Sequence, residues 1–331
     1  MAKNINMKYP NHRARRLRSS DALRCLVRET HLSMDQLIMP YFVDETISGK
    51  EAIQSMPGQF RFSVDSLLGE LRELETLGIR HILLFGIPKK KDELAKSAYD
   101  SKGIIQTAIR KIKKRFPSLT IISDVCLCEY MSHGHCGILK HGKVQNDPTL
   151  ELLARTALSH AEAGTDIVAP SDMMDGRVKA IRKTLDDHHF EMLPILSYAA
   201  KYASAFYGPF REAAHSAPIS GDRKSYQMDP ANGDEALREI EMDIEEGADL
   251  IMVKPAITYL DVIALAKAKF HIPMVAYQVS GEYAMLKAAA KAGFMNERAL
   301  VLESLLSIRR AGASSVITYF AKDVARWLKK S

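Results

Sequence analysis

Hydrophobic residues along this chain fall into two alternating patterns. Short, nearly unbroken apolar and β-branched runs occupy 37–43, 81–86, 120–125, 166–169, 193–198, 250–254, 274–279 and 315–320. Runs with so few polar interruptions suit parallel strands buried on both faces. Between them, apolar residues return every three or four positions. Leu67, Leu71 and Leu74 do so before Gly78. Leu150, Leu153, Ala154, Ala157, Leu158 and Ala161 do so before Gly164. The segments GDEALREIEMDIEEG and NERALVLESLLSIRRAG repeat the pattern, which is that of amphipathic helices stopped by glycine. Eight strand–helix units in 331 residues predict an α/β protein with a (β/α)8 TIM-barrel fold.

Such a barrel concentrates chemistry at the C-terminal ends of its strands. Polar residues gather there. The third predicted strand runs into Asp124, Cys126 and Cys128, and the fourth into Ser171 and Asp172. Lys201 lies beyond the fifth, Lys254 ends the sixth, and Ser280 and Tyr319 close the seventh and eighth. Burial lowers the pKa of a lysine at the end of an apolar strand such as LIMVKPA, and the neutral amine can then attack a carbonyl. The other reading of Lys254 is a rim lysine with its head in solvent. Lys201 in SYAAKYAS is a second candidate, and two lysines facing one cavity would each depress the other. The longest stretch without a predicted strand, 199–232, carries Arg211 and Arg223. A loop of that length on a compact barrel is usually functional, and we expect a lid at about 203–232. Its two guanidiniums are suited to clamping a carboxylate, or are simply solvated.

Composition narrows the classes. With 47% hydrophobic residues the chain supports a large core. No apolar stretch is long enough to cross a bilayer, and the basic, polar start lacks a secretory core, so a cytoplasmic protein is expected. The net charge of +6 is spread over HRARRLR, PKKK and RKIKKR. The last of these lies on a helix whose other face is apolar, as a solvated face does. No basic stripe interleaved with aromatics suggests nucleic acid, and a basic excess suits a small anionic substrate. Three of the four cysteines cluster in DVCLCEYMSHGHCG, which points to a metal in a reducing compartment rather than to disulfides. Cys126, Cys128 and Cys136 suit Zn(II). Either His133 or His135 closes a structural site, or three sulfurs leave an open position for a substrate. Cys25 is expected to be a packed helix residue.

The stretches DVCLCEYMSHGHCG, SDMMDGRV, SYAAKYASAFYGPFREA, GDRKSYQMDP, LIMVKPA, YQVSGEYAM and ITYF resemble the porphobilinogen synthase (5-aminolevulinate dehydratase) family, in order and over nearly the whole chain. That resemblance implies condensation of two 5-aminolevulinate molecules to porphobilinogen. It implies that Lys254 forms a Schiff base with one substrate, whose carboxylate meets Ser280 and Tyr319. Lys201 serves the second substrate, with Arg211 and Arg223 at its carboxylate. The resemblance further implies zinc on Cys126, Cys128 and Cys136, and substrate contacts by Asp124, Ser171, Asp172 and Gln227, with Tyr207 and Phe210 in the lid. It also implies an allosteric magnesium near Glu239, reached through water. Residues 1–20 would form an arm around a neighbouring subunit in a homo-octamer, and 21–331 the catalytic barrel. Two rival readings remain. A class I aldolase-like barrel needs a reactive lysine but no metal. A zinc-bearing nucleic-acid-binding protein needs a closed four-ligand site.

Overall fold

The structure, a computed structural model, describes residues 11–329. Eight parallel strands form its centre: β1 (Leu37–Asp44), β2 (His81–Ile87), β3 (Thr120–Val125), β4 (Ile167–Pro170), β5 (Leu196–Lys201), β6 (Leu250–Lys254), β7 (Met274–Gln278) and β8 (Ser315–Thr318). Helices α1 (Val64–Leu77), α2 (Ile104–Arg115), α3 (Asn146–Ala163), α4 (Arg177–Asp187), α5 (Asp234–Glu245) and α6 (Leu260–Lys269) follow the first six strands in turn. Two helices, α7 (Ser280–Lys291) and α8 (Glu297–Ala311), follow β7, and α9 (Ala321–Lys329) follows β8. This is the (β/α)8 TIM barrel that the hydrophobic pattern predicts. Every residue of β1, β5 and β7 is buried, which explains why these strands read as continuous apolar runs.

The helices cover the strands with the faces that periodicity marks. In α2, Ile105, Ala108, Ile109 and Ile112 are buried, while Arg110, Lys111, Lys114 and Arg115 are exposed. Lys111 pairs with Asp65 at 2.8 Å and Lys113 with Asp166 at 2.6 Å. The RKIKKR run is therefore a solvated, partly paired helix face. Helix α3 stops at Gly164, whose φ of 95° puts it in the left-handed region that glycine enters without a Cβ penalty.

Ladder pairing runs β4-β3-β2-β1-β8-β7-β6-β5. The circle closes between β4 and β5 through a single parallel bridge, Val168 to Ile195, with the Val168 N–H donating to the Pro194 carbonyl at 3.1 Å. Side chains reinforce this seam. Buried Arg177 donates to Ser197 Oγ at 3.0 Å and to the Tyr198 carbonyl at 3.4 Å, and its charge meets Asp243 at 3.0 Å. Lys201 Nζ donates across the same seam to the Ser171 carbonyl.

Three local expectations need correction. The fifth strand begins and ends three residues later than predicted, so Lys201 is its last residue rather than a residue beyond it. Pro194, which has no N–H to give a ladder, lies at the predicted start. The 199–232 segment is not bare loop. It contains a 3-10 turn (Ala205–Tyr207) and a short helix (Gly208–Ala213), and a bridge between Tyr202 and Met228 closes its base. Cys25 is exposed on the short helix Asp21–Leu26, which buries nothing. Of the predicted arm, residues 1–10 lie outside the described residues. The 3-10 helix Ala14–Arg18 within it has no buried residue.

Candidate active site

Parallel register sets Lys254 of β6 directly beside Lys201 of β5. Both are buried, at 5% and 4% exposure, so neither is a rim lysine with its head in water. Lys254 Nζ lies 4.5 Å from the ring centre of Tyr277, 5.1 Å from Tyr198 and Phe210, and 5.2 Å from Tyr207. Burial, then the charge of Lys201, lowers the Lys254 ammonium to about 7, with Asp124 opposing. Near neutral pH a large share of this amine is therefore unprotonated. Asp124 sits at the end of β3 and accepts a hydrogen bond from Ser171 Oγ at 3.1 Å. Burial, with Glu129 adding to it, raises its carboxyl to about 7, while the two lysines pull it down. An amine and a carboxyl that each exchange protons near pH 7 are suited to proton transfer around a carbonyl.

The C-terminal end of β3 runs straight into the cysteines. Cys126, Cys128 and Cys136 are buried and their sulfurs all lie within 4.8 Å of one another, with 3.3 Å between the first two. Three sulfurs at about 2.3 Å from one tetrahedral ion would stand about 3.8 Å apart, so the trio can hold a metal with little movement. Among the described residues it is the only such cluster. Neither histidine completes it. His135 is engaged by Tyr226 Oη at 3.2 Å and the Ser220 carbonyl at 2.9 Å. His133 Nδ1 accepts from the His135 N–H at 3.2 Å. Burial pushes the Cys126 thiol up, while hydrogen bonds from Cys126 and Cys128 pull that of Cys136 down. The loop is braced from the β2 side, where the Asp92 N–H donates to the Tyr130 carbonyl at 3.2 Å and the Ser132 N–H to the Asp92 carbonyl at 3.0 Å.

The segment expected to form a lid reaches Lys254. Tyr207 Oη donates to the Lys254 carbonyl at 3.2 Å. Phe210 packs against Phe85 at 5.0 Å and Phe42 at 5.6 Å, and its N–H donates to Ser280 Oγ at 2.9 Å. The lid approaches α7 so closely that a Cβ on Gly281 would stand 2.4 Å from the Phe206 carbonyl oxygen and 2.7 Å from its Cα. Tyr319 Oη shares a hydrogen bond with Tyr277 Oη at 3.0 Å. Arg223 is buried and donates to the Gly134 carbonyl at 3.0 Å and the Ser216 carbonyl at 2.6 Å, tying the lid to the cysteine loop. Arg211 is half-buried and its Nε has no partner. Both guanidiniums act on the Tyr207 hydroxyl, and neither has a carboxylate partner among the described residues. Gln227 is buried with both amide atoms unpartnered, a costly state that a bound polar molecule would relieve. Asp172 accepts from the Met174 N–H at 2.8 Å and lies 3.9 Å from Arg177, and burial raises its carboxyl to about 6.

Glu239 stands apart from this group. It lies half-buried on α5, lining a cavity of about 880 Å³ with Asp175, Glu235, Tyr226 and Gln227. Sequence reading missed several residues of the site. Tyr198, Tyr277 and Glu129 are aromatic or acidic residues inside motifs otherwise read for their lysines and cysteines. Arg177, Asp243 and Glu282 are buried charges whose partners lie far away in sequence. A charged residue at an apolar position is the only signal a sequence gives for these.

Comparison with known proteins agrees with this geometry. The family model described as delta-aminolevulinic acid dehydratase matches residues 11–327. The delta-aminolevulinic acid dehydratase of Halalkalibacterium halodurans is 56% identical over 318 residues, covering 96% of this chain and 97% of that one. That of Bacillus subtilis is 54% identical over 317 residues, covering 96% and 98%. Among solved structures, the Toxoplasma gondii ME49 porphobilinogen synthase in complex with its reaction product porphobilinogen superposes with a TM-score of 0.94. It shows 47% identity, over 97% of this chain and 92% of that one.

Proposed function

The chain belongs to the delta-aminolevulinic acid dehydratase family, and from that premise we propose that it is a porphobilinogen synthase. It condenses two 5-aminolevulinate molecules into porphobilinogen, releasing two waters, in tetrapyrrole synthesis. The observation that carries this reading is the buried side-by-side pair Lys254 and Lys201, with Lys254 lowered to about 7. A neutral Lys254 amine attacks the ketone of one 5-aminolevulinate, and loss of water gives an imine. The faces of Tyr198, Tyr207, Phe210 and Tyr277 favour the cation formed when that imine is protonated. Asp124, supported by Ser171, holds the proton that leaves with the departing hydroxyl. Ser280 and Tyr319 hold the carboxylate of this first substrate.

Lys201 and Asp172 face the second 5-aminolevulinate, and Arg211 and Arg223 take its carboxylate. Gln227 supplies the remaining hydrogen bonds. Tyr207 and Phe210 keep water from the imine. Cys126, Cys128 and Cys136 would hold Zn(II), which supplies Lewis acidity and an open coordination position to the second substrate. A magnesium ion near Glu239 would be held mainly through water, since among the described residues Glu239 belongs to no close group of three or more ligands. The cytoplasm, where three clustered thiols stay reduced, suits this chemistry, and the assembly is a homo-octamer.

Turnover of 5-aminolevulinate, followed as appearance of the pyrrole, tests the reading. We expect activity that a chelator abolishes and Zn(II) restores, with an unchanged far-UV spectrum. Full turnover by protein shown by elemental analysis to hold no metal would remove zinc from the account. No pyrrole from the zinc-loaded protein would remove the function.

A further inference from the structure

The β6–β7 ladder stops at the pairing of Val253 with Ala276, one residue before Lys254. From there on, among the described residues, no strand pairing joins the segment carrying the reactive lysine to the one carrying Ser280. One side chain hydrogen-bonds to the backbone of both segments. Glu282, in the first turn of α7, is fully buried at 0% exposure. One carboxylate oxygen accepts the Ile257 N–H at 2.6 Å. The other accepts the Val279 N–H at 2.7 Å and the Ala256 N–H at 3.5 Å. Val279 is adjacent to Ser280, and Ala256 and Ile257 follow Lys254 by two and three residues. A helix N-terminus needs an acceptor for one of its own N–H groups, and Glu282 meets that need by accepting the Val279 N–H. The donors from the β6 segment exceed it. No cation neutralises this carboxylate among the described residues, so backbone dipoles alone hold it.

Resting on the reading of Lys254 as the imine-forming amine, we propose that Glu282 is a positioning residue, whose carboxylate replaces the missing ladder and fixes the end of β6 against Ser280. It touches no substrate. It sets the distance between the amine that attacks the ketone and the hydroxyl that holds the same molecule's carboxylate. Such a residue acts on the rate at which a bound ketone is captured more than on binding, because misplacement lowers the population of attack geometries.

Glu282→Gln keeps the shape but replaces one accepting oxygen with an amide nitrogen. Zinc-loaded enzyme and variant are saturated with 5-aminolevulinate and treated with borohydride, and the rate of reductive trapping at Lys254 is measured beside kcat and KM. Trapping and kcat are expected to fall together by about tenfold or more, with KM within about threefold of the parent value. Glu282→Asp, which keeps the charge but is one methylene too short to reach both segments, should show the same split, and it decides the matter if the amide variant does not fold. Trapping at the parent rate in a folded variant overturns the assignment. So does a loss that matches a reduced folded fraction, or failure of both variants to fold, since each makes Glu282 purely structural. If the parent enzyme itself is not trapped, the reading of Lys254 fails and this inference falls with it.

Discussion

At the scale of single residues, the site rests on what burial does to a charge. A lysine lowered from 10.5 to about 7 is a cost to the fold with a definite pH signature. Below pH 7 the amine is charged in folded and unfolded chains alike, and the full cost of burying it stands. Between about 7 and 10.5 only the unfolded chain keeps the proton, so stability rises with pH across that window. Lys254→Met removes the cost. Thermal melts should show the variant more stable than its parent at pH 6, by an amount on the order of a few kcal/mol. The gap should narrow by pH 9, and a gap independent of pH would mean that the amine is not desolvated. The chemical role separates from the energetic one by borohydride trapping. Lys254→Arg should lower turnover by roughly a thousandfold or more, since guanidinium stays protonated. Lys201→Arg should also be inactive yet still be trapped at Lys254, in the peptide containing LIMVKPA. Label spread over surface lysines would defeat this assignment. The lysines and cysteines were legible in the sequence because an ionisable residue ending an apolar strand, or three thiols within eleven positions, is improbable without a use. Of the aromatic cage, Tyr207 and Phe210 were named with the lid, but Tyr198 and Tyr277 were not, because the four come from three separate segments and converge only on closing the barrel.

At the scale of elements, strand ends were read well where the apolar run stops at a proline or a charge, as at Lys254–Pro255. They were read less well in LPILSYAAK, where small alanines extend the strand beyond the bulky core residues. The 203–232 segment stood out as a length of chain without periodicity, but its seating did not, since that depends on a residue with no side chain. Gly281 lets the Phe206 backbone come within a distance that no Cβ permits. Gly281→Ala should hold the lid off α7, breaking the Phe210–Ser280 hydrogen bond and admitting water above Lys254. We expect kcat/KM for 5-aminolevulinate to fall by about tenfold or more, with the far-UV spectrum unchanged and faster proteolysis within 203–232. Parent-like kinetics would mean that the lid does not close in the way described.

At the scale of the whole molecule, the period of the hydrophobic pattern specified a barrel because eight buried parallel strands have few other ways to leave no edge. Assembly is a different matter. Residues 1–20 hold six lysines and arginines and little to bury. If they wrap a neighbour, deleting them should shift the protein to smaller species in analytical ultracentrifugation and weaken turnover. An unchanged assembly would defeat the arm. The seam between β4 and β5 carries its own consequence. A hoop whose ladder closes on one bridge is weakest there, and the clasp here is partly made of Lys201, whose amine bonds the Ser171 carbonyl on the far side. Deuterium should therefore enter the Val168 amide sooner than the Leu83 amide of β2, and sooner still in Lys201→Arg. If the second substrate engages Lys201 as proposed, it borrows a rivet from the frame, and the barrel should be at its loosest on that side as the two molecules join.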